Sequence, residues 1–139
     1  MAIRFFFEEI PVFKGLKRQE AKKVIRQILA DFSFTPGEIN YIFTSDNYLL
    51  AINRQYLKHD YYTDIVTFPG YDQKTVHGDV FISIERVTEN AAKYKVTAAN
   101  ELMRVMIHGA LHLCGMEDNT PARKKKMTAL EDQYLGRLK

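Results

Sequence analysis

Residues 63–84 read TDIVTFPGYDQKTVHGDVFISI, and the fold turns on how they are divided. Two runs, TDIVTF (63–68) and GDVFISI (78–84), are rich in β-branched and aromatic residues, whereas PGYDQKTVH between them carries turn-forming Pro, Gly and Asp. They predict two strands joined by a turn-rich segment. Upstream, INYIFT (39–44) predicts a third strand after the turn TPGE, and Ile3 to Phe7 a fourth. Between these strands, Leu16, Val24, Ile25, Ile28, Leu29 and Phe32 recur near helical spacing and predict an amphipathic helix over 17–32. Its opposite face carries Lys17, Arg18, Lys22, Lys23 and Arg26. A short helix over 45–57 opens with Ser45 or Thr44 as its cap. Further helices are expected from Val87 to Tyr94 and from Ala98 to Cys114. A last helix begins at Thr120 and Pro121, an N-cap followed by proline at the first helical position. Four strands in the first two thirds, with helices between and after them, predict an α+β fold. The expectation is a single domain over residues 1–139, a four-stranded mixed sheet with packed helices.

Composition narrows the classes open to such a chain. Its 139 residues, 46% hydrophobic and 27% charged, suit one modest core. A formal charge of only +3 means that attraction to phosphate must come from local patches. One cysteine, Cys114, cannot form an internal disulfide, and the opening MAIRFFFEEI lacks the layout of a signal peptide. No apolar run approaches the roughly 20 residues of a membrane span. A cytoplasmic protein with no membrane partner is expected.

Chemistry concentrates in MIHGALHLCGMEDNT, residues 106–120. His108 and His112, four apart on a helix, share one face and can aim their ring nitrogens at one point. A third ligand has to come from chain that has left the helix, and Gly115 is the residue expected where a left-handed conformation reverses it. Asp118 then supplies a carboxylate, leaving a coordination position for water, as in open catalytic sites. Cys114 lies off the histidine face and reads as a structural thiol. Zinc peptidases of the metzincin type share the spacing, but they need a glutamate directly after the first histidine. Here that residue is Gly109.

At HGALHLCG the sequence resembles the HGxLHLxG signature of the YbeY family, metal-dependent endoribonucleases also described as ribosomal RNA maturation factors. INRQYLKHDYYTDIVTFP resembles that family's LNxxYRxxDxxTDVLSFP segment, and HGDVFIS its GDIxIS strand. The resemblance runs in order from Ile52 to Asp118. It implies a single-strand-specific endoribonuclease acting in 16S rRNA maturation and ribosome quality control, with RNA and the ribosomal small subunit or assembly proteins as partners. Two departures stand out. Asp118 occupies the position of the family's last histidine, and two histidines with one carboxylate suit nickel, iron or manganese as well as zinc. Leu57 stands where the family segment has arginine, with Arg54, Lys58 and Arg104 as candidate substitutes.

One divalent metal, zinc first, is therefore expected on His108, His112 and Asp118, with His108 also counted among the catalytic residues. Asp79 and Asp64 are the candidate general bases. Arg104, one turn before His108, is a candidate phosphate contact, or else an i,i+3 partner of Glu101. Arg123, Lys124, Lys125 and Lys126, directly after the metal loop, form one candidate RNA surface, and the basic face of the first helix forms another. The rival to catalysis is a metal-stabilised assembly factor that cuts nothing.

Overall fold

Along residues 39–44 the side chains alternate: Ile39, Tyr41 and Phe43 are fully buried, while Asn40 and Ile42 turn to the other side. One strand thus divides the molecule into a packed half and a more open half. A computed structural model, which describes residues 2–138, shows the whole sequence of elements. These are β1 (Ala2–Phe7), α1 (Arg18–Asp31), β2 (Thr35–Thr44), α2 (Asp46–Leu57), β3 (Ile65–Asp72), β4 (Thr75–Ser83), α3 (Ile84–Tyr94), α4 (Ala98–Leu113) and α5 (Pro121–Gly136). The sheet order is β1-β2-β4-β3. β1 and β4 run parallel to β2, and β3 closes the sheet as an antiparallel edge. The expected α+β architecture with a four-stranded mixed sheet is the one found. No helix among the described residues is long and apolar enough to cross a membrane.

Three boundaries differ from expectation. PGYDQKTVH is mostly strand: β3 continues through Pro69 and Gly70 to Asp72, and β4 resumes at Thr75. Only Gln73 and Lys74 turn, with Gln73 at φ 56°. Pro69 is tolerated because β3 is an edge strand and needs no second ladder. Likewise TPGE is the start of β2 rather than a turn. The Thr35 N–H donates to the Lys74 carbonyl at 2.8 Å, so alternation points the Pro36 nitrogen away from β4. On that side, pairing with β1 begins at Glu38 among the described residues. Finally, Ser83 ends β4 and caps α3 by accepting from the Arg86 N–H, so the helix starts at Ile84 and not at Val87. Ser45, Thr97 and Thr120 cap α2, α4 and α5 in the same way.

α4 is the central helix, buried at Leu102, Met106, Ile107, Ala110 and Leu111 against the packed face of the sheet and against α1, α3 and α5. It packs directly on the sheet at Gly109, where a Cβ would stand 3.0 Å from both Ile65 Cδ1 and Val80 Cγ1. The Tyr41 hydroxyl donates to the Met106 carbonyl at 2.9 Å, which fixes the height of α4 on β2. With Gly109 pressed on the sheet, His108 and His112 are directed to the side, toward α5.

Candidate metal centre

The C-terminal end of α4 and the loop after it build the centre. Cys114 closes the helix, and Gly115 adopts φ +90° with nothing within 4 Å of where a Cβ would be. Backbone conformation and not space is what calls for glycine there. The reversal returns Asp118 to the histidine face. The two Nε2 atoms lie 2.9 Å apart. Asp118 places Oδ2 3.5 Å from His108 Nε2 and Oδ1 3.8 Å from His112 Nε2. Ligand atoms about 2 Å from one ion lie about 3 to 4 Å from each other, so the set has the right scale for a single metal. His108, His112 and Asp118 could hold it.

The hydrogen bonds around the rings argue for a cation independently of spacing. His108 Nδ1 lies 2.6 Å from Glu131 Oε2, which places the ring proton on Nδ1. With its Nε2 turned toward His108, His112 has Nδ1 left for the hydrogen bond it makes with the Met116 backbone. Both Nε2 lone pairs therefore face one point, with a carboxylate beside them. A cation satisfies all three groups at once. Burial and the neighbouring His108 both lower the His112 pKa, keeping that ring in its ligating neutral form. At His108 burial is the largest influence and acts in the lowering direction, but the hydrogen bond and charge of Glu131 together with the charges of Asp118 and Asp64 outweigh it, and the pKa rises.

Glu131, on α5, was not among the expected site residues. Its only sequence signal is position: it shares the buried stripe of α5 with Met127, Tyr134 and Leu135, where an acid is out of place unless it has a partner. It also accepts from Arg104 Nη1 at 3.2 Å, and Arg104 Nη2 donates to Asp132 at 2.6 Å. Arg104 is thus beside the centre as expected but pairs with Glu131 and Asp132, not with Glu101, and both of its terminal nitrogens are taken.

A cleft of about 460 Å³ opens beside His108 and Asp118 and runs past Arg104. Asp64 lines it, and burial raises the Asp64 pKa. Asp79, the other candidate base, is not among the described residues that line this cleft. Val80 packs against α4 at Gly109, so its neighbour Asp79 points from the opposite face of the sheet. There it accepts from Asn40 Nδ2 at 3.0 Å and joins a groove with Tyr48, Ile52 and Phe81. Among the described residues lining the cleft, Leu57, Arg54 and Lys58 are absent; Leu57 is 39% exposed at the end of α2 and Arg54 pairs with Asp60. Of the basic run, Lys124 lines the cleft and Lys125 and Lys126 are exposed. Arg123 is tied back to the metal loop, donating to Glu117 at 3.0 Å and Asn119 at 2.7 Å. On α1, Arg18 and Lys22 lie over the rings of Phe5 and Phe7. Cys114 is half-buried and its thiol is pushed up to about 12 by burial, as befits a structural residue.

A small α+β domain that turns two helical histidines and a returning carboxylate onto an open cleft belongs to the class of single-metal hydrolases in its layout. The family model described as Endoribonuclease YbeY matches residues 8–139, and the chain belongs to that family. A protein of Cytophaga hutchinsonii named Endoribonuclease YbeY is 44% identical over 95% of this chain and 93% of its own length. One of the same name from Flavobacterium psychrophilum is 49% identical over 80% and 79%. The solution structure of TM1509 from Thermotoga maritima superposes with a TM-score of 0.68 at 28% identity, covering 99% of this chain and 89% of that one.

Proposed function

We propose that the protein is a metal-dependent endoribonuclease that cuts single-stranded RNA in 16S rRNA maturation and ribosome quality control. It acts in the cytoplasm on the ribosomal small subunit or its assembly intermediates. His108, His112 and Asp118 hold one divalent metal, zinc in the first instance, with nickel, iron and manganese compatible with the same ligands. The observation that carries this reading is the pair of facing Nε2 atoms, 2.9 Å apart beside the Asp118 carboxylate, at the mouth of an open cleft.

When bound, such a metal supplies Lewis acidity, lowering the pKa of a water and steadying charge on a phosphoryl oxygen. The chain's own residues set the conditions for that chemistry. Glu131 holds the His108 proton on Nδ1 and so keeps Nε2 directed into the centre. Asp64, whose pKa burial raises, lines the cleft and is the candidate acid for a leaving oxygen. Lys124 at the rim, with Lys125 and Lys126 beyond it, attracts the phosphate backbone, and Arg123 keeps the loop of Asp118 in place.

The test compares metal-stripped, metal-restored and His108→Ala protein, purified identically, on single-stranded RNA. Cleavage should follow metal occupancy and vanish in the variant, while most phosphate-driven binding survives. Cleavage that persists in His108→Ala or ignores metal occupancy overturns the enzyme reading in favour of a non-catalytic assembly factor.

A further inference from the structure

Glu101 is the least explained ionisable group of the cleft. It is only 4% exposed, it lines the cleft, and among the described residues its carboxyl makes neither a hydrogen bond nor an ion pair. Arg104, one turn along α4, acts on it only through its field, since both terminal nitrogens of that guanidinium donate to α5. Burial, with Asp64 and Glu131 adding like charge, raises the Glu101 pKa. The Glu101 oxygens keep some contact with the cleft, and a ligand that brings two N–H groups to this thinly hydrated carboxylate supplies the donors the protein does not.

The rest of the cleft describes the shape of such a ligand. Val105 and Met127 add apolar surface, and Tyr94, a residue 58% exposed, offers an aromatic ring with Lys93 Nζ 6.0 Å from its centroid. Lys124 supplies positive charge, and His108 and Asp118 line the same cleft. One flat aromatic, two apolar side chains and a mostly buried carboxylate, set among charged groups, fit a planar heterocycle with a polar edge. A volume of about 460 Å³ falls in the range of small-molecule sites, about 300 to 1,000 Å³. Among the nucleobases, guanine presents two adjacent N–H donors on its Watson–Crick edge, N1–H and the 2-amino group, matching the two acceptor oxygens of a carboxylate.

We propose that this cleft is a guanine subsite: the Glu101 carboxylate accepts from N1–H and the 2-amino group of a base stacked on Tyr94, next to the phosphate at the metal centre. The assignment rests on the endoribonuclease reading for its biological setting, and it makes cutting beside guanine the preference of the enzyme.

Binding of GMP, AMP, CMP and UMP to the full chain, measured by calorimetry, tests it without requiring cleavage. The four share one phosphate, so differences among them report the base. GMP should bind roughly tenfold more tightly than the others. IMP, which keeps N1–H but lacks the 2-amino group, should lose most of that advantage on the unaltered protein. Glu101→Gln should abolish the GMP preference, since an amide cannot accept two N–H groups in this way. Tyr94→Ala should weaken all four by about five- to a hundred-fold. Equal binding of the four nucleotides, IMP equal to GMP, or an intact GMP preference in folded Glu101→Gln overturns the subsite. Loss of metal-dependent RNA cleavage with the GMP preference intact would instead overturn the endoribonuclease reading alone.

Discussion

The two faces of the sheet are made from the same strands and differ in almost everything else. On one, Ile39, Tyr41, Phe43, Val80 and Ile82 are sealed under α4 and α1. On the other, α2 covers part of the surface with Leu49 and Leu50, and Phe6 and Tyr56 remain 42% and 59% exposed. The metal-type centre belongs to the sealed side, although none of its ligands is on the sheet. A rigid, close-packed floor allows α4 to hold two histidines to within the tolerance a metal requires. The open side carries the acid of the GDVFIS stretch, Asp79, in a groove lined by Tyr48, Tyr56, Phe68 and Phe81. Adjacent residues of one strand therefore serve different surfaces.

The contrast breaks most sharply in stability. Leu111→Ala, beneath the histidines and fully buried, should cost about 2 to 5 kcal/mol in urea unfolding. Next in size is the effect on metal. Glu131→Gln should weaken metal binding by about 10- to 100-fold in a chelator competition, whereas Asp79→Asn on the opposite face should leave it unchanged. A fall for Asp79→Asn would mean that the two faces communicate.

A smaller effect should appear in the pH dependence of stability. Glu101 has a pKa raised in the folded state above the ordinary 4.5, so its stabilising contribution is complete below that value and is lost as pH rises through the folded pKa. Removing the charge should reverse this. Relative to the parent protein, Glu101→Gln should gain stability with rising pH across that window and run parallel above it. A constant offset at all pH values would show that Glu101 titrates normally. Least affected should be the stability of Phe6→Ala, within about 0.5 kcal/mol, and of the protein neutralised at Lys124, Lys125 and Lys126. The latter should instead lose about 0.7 of a log unit in the salt slope of RNA binding for each phosphate contact removed.

Much of this was readable in the sequence because it is local. The histidine pair, the left-handed Gly115 and the return of Asp118 follow from spacings within one helix and one loop. Helix starts at Ser45 and Thr120 are written in their caps. What could not be read depends on neighbours brought from afar. Pro36 and Pro69 look like breakers until the strand order shows that their nitrogens need no partner. Glu131 stands 23 residues beyond His108 on another helix, and only packing of α5 against α4 joins them. Asp79 and Asp64 looked equivalent as candidate bases, and alternation along β4 together with the place of Asp64 just before β3 separates them. Glu101 illustrates the same limit. Its place on the buried face of α4 is visible in the helical pattern, but the cleft beside it is made by α3 and α5.

The facing lone pairs of His108 and His112 also tie folding to the supply of metal. An ion that binds the native centre and not the unfolded chain adds about 1.4 kcal/mol to stability for every tenfold rise in its free concentration above the dissociation constant. The melting temperature of this protein should therefore climb with the logarithm of free metal. In a cell starved of the ion, the population at risk from proteases would be the empty form, so abundance as well as activity would follow metal supply.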